Sequence, residues 1–153
     1  VRDLKTSRQP VRVVVDSRLE TPLTARILQG GPVLIAGAIE NAEKSALLRS
    51  TGAEVLILPN AAGKVELKDL LEALARRGIN EVHAEAGFKL NGSLMREGLV
   101  DELLLYLAPC LIGHEASGLF NLPELATLDG KRHLQIRDLR QVGEDIRLIA
   151  RPR

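Results

Sequence analysis

Short apolar runs alternate with helical stripes along the first two-thirds of this chain, and that rhythm leaves few ways to fold it. Val11 to Val15 is a β-branched run, closed by Asp16-Ser17 and later punctuated by Pro22. Pro32 to Ala36, entered through the turn Gly30-Gly31, and Val55 to Leu58 are two more such runs. Ile39, Ala42, Ala46 and Leu47 recur at helical spacing, with Gly52 as the stop. Leu67, Leu70, Leu71, Leu74 and Ala75 form a clearer stripe, stopped by Gly78. Ile79 to Glu85 then reads as a strand and Gly87 to Glu97 as a helix, with Gly98 following. Strands alternating with helices of this length imply right-handed crossovers and a largely parallel sheet.

The last third changes style. Val100 to Cys110 reads as a long apolar strand, and Gly113 to Arg132 as a loop broken by Gly118, Pro123 and Gly130. Leu134 to Val142 and Asp145 to Ala150 alternate at period two around Gly143-Glu144, the pattern of an antiparallel hairpin. The expected fold is therefore α/β, with a mixed sheet that is mostly parallel and ends in an antiparallel hairpin.

At 153 residues the chain fits one domain, residues 1–153, with a core of ordinary size. The 21 Lys and Arg against 20 Asp and Glu are scattered, and aromatics make up 2%. Nucleic acid is disfavoured as the main partner, since that needs a basic patch or stacking platforms. No apolar run nears the roughly 18 residues of a membrane span, so no membrane partner is expected. A single cysteine, Cys110, allows no intrachain disulfide and suits a reducing cytoplasm. No signal peptide is read at the start, where Val1 to Gln9 looks like the middle of a longer protein.

Two chemistries compete at residues 81–94. His83-Ala84-Glu85 matches the H-x-E of zinc nucleobase deaminases, but those enzymes need two further cysteines on the metal. Only Cys110 is present, and the position three residues after it is Gly113. Zinc therefore fails, and no metal is expected; His114 and His133 also lack a second ligand at metal spacing. The alternative is a phosphate-bearing cofactor. Glu85-Ala86-Gly87 lies between an apolar run and a helix whose first amide groups have no partner within the helix. Gly87 would let a pyrophosphate approach the backbone, unless it serves only a turn with positive φ. Asp16-Ser17-Arg18 ends the first strand at the carboxyl edge, where open α/β sheets bind ligands. Arg18 could pair there with a 2′-phosphate and Ser17 could add a hydrogen bond, although a plain turn explains the same residues.

"RQPVRVVVDSRLETPLTARIL" (residues 8–28) resembles the reductase domain of bacterial bifunctional riboflavin-biosynthesis deaminase-reductases. "EVHAEAGFKLNGSLMREGLVDELLLYLAPCLIG" (residues 81–113) resembles that family's strongest signature, and "VGEDIRLIARP" (residues 142–152) its closing hairpin. The resemblance implies a dihydrofolate-reductase-like fold, a three-layer α/β/α sandwich. It also implies NADPH-dependent reduction of the ribose of 5-amino-6-(5-phosphoribosylamino)uracil to the ribityl form, with hydride delivered to C1 of the open-chain sugar. On that reading Glu85 faces the substrate at the reaction centre. Gly87, Phe88, Lys89, Leu90, Asn91, Gly92 and Ser93 form the cofactor loop, and Ser17 with Arg18 flanks the adenosine end. The family's deaminase domain, first strand and substrate-phosphate ligands would precede Val1. The chain alone is then expected to be a homo-oligomer, most simply a homodimer, and inactive toward the pyrimidine. The rival reading is a non-catalytic module that binds a nucleotide or mediates dimerisation.

Overall fold

The computed structural model describes residues 9–113 and 116–153, which cluster into two compact units, residues 9–81 and Val82–Arg153. The first unit is a parallel three-stranded sheet, ordered β1 (Arg12–Val15), β2 (Val33–Gly37), β3 (Glu54–Ile57). All five residues of the central β2 are buried, which is why its sequence is a continuous apolar run instead of an alternation. The crossover from β2 to β3 is helix α1 (Ala42–Ser50), started by Asn41, whose Oδ1 accepts the Lys44 N–H at 2.9 Å. Gly52 at φ +88° takes the left-handed conformation just after α1. Leu19, Leu28, Val33, Ile35, Leu48, Ala53 and Val55 form the core. Helix α2 (Leu67–Ala75) buries Leu67, Leu70, Ala73 and Leu74; of the stripe expected from spacing, Leu71 is half-buried and Ala75 exposed. It ends at Gly78 (φ +75°), where the Ile79 N–H bonds back to the Leu74 carbonyl at 3.2 Å.

In the second unit, helix α3 (Phe88–Arg96) precedes β4 (Leu103–Leu107), β5 (Leu134–Val142) and β6 (Asp145–Pro152). These strands make an antiparallel sheet ordered β4-β6-β5. The β5–β6 hairpin closes as expected through Gly143-Glu144, with Gly143 at φ +63° supplying the turn. Register places Leu103, Leu105 and Leu107 opposite Ala150, Leu148 and Ile146, so one sheet face is apolar. On the other face Asp138 accepts hydrogen bonds from Arg140 Nε (2.8 Å) and Arg147 Nη2 (2.6 Å). Those two bonds, the Arg140 one foremost, hold the Asp138 carboxyl below its usual range.

The structure corrects three expectations. Residues 79–85 form no strand; an extended segment becomes one only when a neighbour satisfies its N–H and C=O groups, and no described residue pairs with it. The described strands form two three-stranded sheets, one parallel and one antiparallel, within the α/β class expected. The strand expected over Val100 to Cys110 shrinks to Leu103–Leu107, since Pro109 has no N–H for a ladder. Cys110 just beyond it is exposed, although its apolar neighbours suggest burial. Val1–Arg8 and His114, on which other expectations fell, lie outside the described residues. None of the described helices is long and apolar enough to cross a membrane.

Candidate functional site at the start of the third helix

Glu85 through Ser93 lie where the segment without secondary structure turns into α3. Gly87 is the N-cap, at φ −84° and ψ 174°, and no side chain caps this end. The first helical bond runs from the Asn91 N–H to the Gly87 carbonyl (3.1 Å), so the amides of Phe88, Lys89 and Leu90 have no acceptor within the helix. The helix dipole adds partial positive charge at the same place. This φ is open to any residue, and a β-carbon on Gly87 would meet nothing within 4 Å. Neither backbone conformation nor packing among the described residues demands glycine here, which removes the positive-φ explanation.

Gly92, one turn on, is the opposite case. It is buried, and a β-carbon there would stand 2.3 Å from the Asn121 carbonyl oxygen and 2.6 Å from its nitrogen. Its missing side chain is used by the protein itself, to admit the loop around residue 121. The Asn121 N–H also donates to the Phe88 carbonyl (3.0 Å), and the Arg96 guanidinium donates to the Asn121 carbonyl. Ser93 accepts from Arg96 Nη2 at 2.9 Å, so its hydroxyl is engaged within the helix. Asn91 Nδ2 donates to the Ala86 carbonyl (3.0 Å) and reaches the Leu119 carbonyl at 3.4 Å. The loop itself was expected, but its contact with α3 and the part of Arg96 were not, because a contact across 25 residues leaves no local pattern.

The Glu85 side chain is 86% exposed, with His83 Nε2 at 3.5 Å from its Oε1. Lys89 is exposed and Leu90 half-buried. Together the segment offers an exposed carboxylate, a side-chain-free approach at Gly87 and helical amides with no partner among the described residues, a combination suited to an anionic cofactor beside a group that can hydrogen-bond a substrate.

Ser17 and Arg18 belong to the first unit, in the turn after β1 at the carboxyl edge of the parallel sheet. The Ser17 carbonyl accepts the Ala38 N–H (3.0 Å), just beyond β2. Arg18 is exposed, its Nη1 3.7 Å from Glu20 Oε1. The turn is held by Asp16, a role the sequence did not reveal. Its Oδ2 accepts from the Thr21 N–H (2.7 Å) and hydroxyl (2.6 Å). Partial burial pushes the Asp16 carboxyl up, but hydrogen bonds from the Thr21 hydroxyl and the Glu20, Thr21 and Arg18 amides outweigh it and leave the group below its usual range. The clamp keeps Leu19 at φ +54°, unusual for a branched side chain, with that side chain in the core. A separate cavity of about 360 Å³ is lined by Lys131, Arg132, His133, Pro152 and Arg153, and none of the predicted residues borders it.

Comparison with known proteins places these features in a family. The family described as the RibD C-terminal domain matches residues 1–148. The riboflavin biosynthesis protein RibD of Escherichia coli is 36% identical over 140 residues, covering 91% of this chain and 37% of that protein. A 5-amino-6-(5-phosphoribosylamino)uracil reductase of Buchnera aphidicola is 30% identical over 149 residues, covering 97% of the chain and 70% of that protein. The crystallised RibD of Acinetobacter baumannii superposes with a TM-score of 0.78 at 32% identity, over 93% of this chain and 37% of that one. The chain thus spans well under half the length of the RibD proteins it matches, and its α/β fold is dihydrofolate-reductase-like. It belongs to the RibD C-terminal domain family, the reductase portion of those proteins.

Proposed function

We propose that this chain is the NADPH-dependent reductase domain of a riboflavin-biosynthesis protein. Its substrate is the ribose of 5-amino-6-(5-phosphoribosylamino)uracil, which it converts to the ribityl form. Gly87 carries the reading: an N-cap glycine that neither conformation nor packing requires leaves the approach to the helix amides open. The dinucleotide pyrophosphate lies against the uncapped amides of 88–90, within the cofactor segment Gly87 to Ser93. Ser17 and Arg18 flank the adenosine end, where Arg18 pairs with the 2′-phosphate and so selects NADPH over NADH. Glu85 borders the reacting sugar and orients its hydroxyl groups through hydrogen bonds. NADPH, when bound, supplies the hydride for C1. In the full-length protein, a deaminase domain lies N-terminal to this one. A reducing cytoplasm suits a chain whose one cysteine is exposed.

The dimerisation reading also has an observation in its favour. Leu107, Ile136, Leu139 and Ile146 stand on the apolar face of the β4-β6-β5 sheet and are 44–61% exposed. A homodimer that buries this face accommodates both readings. Titrating the full-length protein with NADPH, followed by oxidation assays on the pyrimidine, tests the enzyme. Saturable binding with turnover is expected, whereas no calorimetric or fluorescence signal would leave only the interaction module. Sedimentation of Leu139→Lys against wild type reads the oligomer.

A further inference from the structure

Two hydrogen bonds and one close approach tie α3 to the loop at residues 118–121, all through Asn121. The Asn121 N–H bonds to the Phe88 carbonyl, the Arg96 guanidinium holds the Asn121 carbonyl, and Gly92 leaves the room both need. Asn91 stands between this loop and the turn that carries Glu85 and Gly87. A carboxamide has two N–H donors. Those of Asn91 reach one carbonyl on each side, Ala86 at 3.0 Å and Leu119 at 3.4 Å.

The Ala86 contact has a consequence for the neighbouring amide. The Ala86 carbonyl and the Gly87 N–H belong to one planar trans peptide, so they point in opposite directions. Fixing the carbonyl toward Asn91 therefore fixes the Gly87 N–H away from it. We infer that Asn91 is a positioning residue: it contacts no cofactor atom, but by holding the Ala86 carbonyl it aims the Gly87 amide and seats loop 118–121 as a wall of the cofactor site. This rests on the dinucleotide reading and deepens it, because it transfers Asn91 from ligand contact to support.

Asn91→Asp in the full-length protein tests the inference, since it keeps the shape but replaces the NH2 donor with a carboxylate oxygen facing both carbonyl oxygens. Two readouts are taken: KM for NADPH and for the pyrimidine, and the rate of chymotryptic cleavage after Phe120. A rise of tenfold or more in KM for NADPH is expected, with KM for the pyrimidine changed less than threefold and faster cleavage after Phe120 even without cofactor. Asn91→Ala, which removes the donors without adding repulsion, should fall between. If both variants cleave faster but keep wild-type KM for NADPH, the contact is merely structural and the inference is overturned. Equal rises in both KM values would overturn it too. A wild-type protein that binds no NADPH would sink the dinucleotide reading itself, and that failure shows before any variant is made.

Discussion

Adding a β-carbon at Gly87 separates ligand binding from folding. At φ −84° and ψ 174° the backbone accepts any L-residue, and the space is open to at least 4 Å. Two small terms then act on stability. Restricting the unfolded chain gains about 0.4–1 kcal/mol. Losing glycine at an N-cap, where alanine is a poor substitute, costs a similar amount. They nearly cancel, so the unfolding temperature of Gly87→Ala should stay within about 4 °C of wild type. The ligand side is different. A phosphate oxygen that bonds a helix amide must come within about 2.9 Å of its nitrogen, through the space the new carbon would occupy. Forfeiting one hydrogen bond to a charged group costs about 1.5–3 kcal/mol, and about 1.4 kcal/mol is tenfold in affinity. Gly87→Ala should therefore weaken NADPH binding about tenfold, and the bulkier Gly87→Val further. Calorimetric titration of the full-length variants, alongside their melting curves, gives both numbers. Unchanged affinity in Gly87→Val, with a normal melt, would refute the placement of the pyrophosphate.

Three further outcomes are expected. Glu85→Gln should lower turnover far more than NADPH affinity; lost cofactor binding in a folded variant would move Glu85 into the dinucleotide site. Asp16 has a lowered carboxyl pKa in the fold, so its ionised form adds stability that is present above the unfolded value near 3.9 and lost as pH falls through the folded value. The melting-temperature gap between wild type and Asp16→Ala should accordingly narrow between pH 6 and pH 3, and a gap that widens on acidification would contradict the sign. Cys110 is exposed, so it should react with a thiol reagent in the native state while Cys110→Ala keeps activity; a native protein that resists labelling would show that something covers it.

Much of the first unit was legible because its signals are local. The β2 run buries both faces, the α2 stripe repeats at helical spacing, and Gly52 and Gly78 mark ends that need positive φ. The hairpin at Gly143-Glu144 was legible for the same reason. Residues 79–85 were not, although Ile79 and Val82 gave them an apolar look. Whether an extended segment becomes a strand depends on a neighbour offering donors and acceptors, and the segment itself cannot encode that neighbour. Glu54 to Ile57 pair with β2, whereas no described strand pairs with 79–85.

The candidate site shows the same limit at finer scale. Gly87 and Gly92 look alike in "EAGFKLNGSL", both small residues near a helix start. What separates them is what a β-carbon would meet: open space at Gly87, the backbone of Asn121 at Gly92. Spacing within the motif cannot distinguish an approach path for a ligand from a seat for a distant loop, because the loop is brought in by the tertiary fold. The proposed cofactor segment from Gly87 to Ser93 therefore combines two tasks. The amides of 88–90, without an acceptor within the helix, suit an anion, while Asn91, Gly92 and Ser93 engage Ala86, Asn121 and Arg96. A helix start can present precise donors only if something holds its own turn still, and in this chain that support comes from Asn91, Gly92 and Ser93 of the same helix.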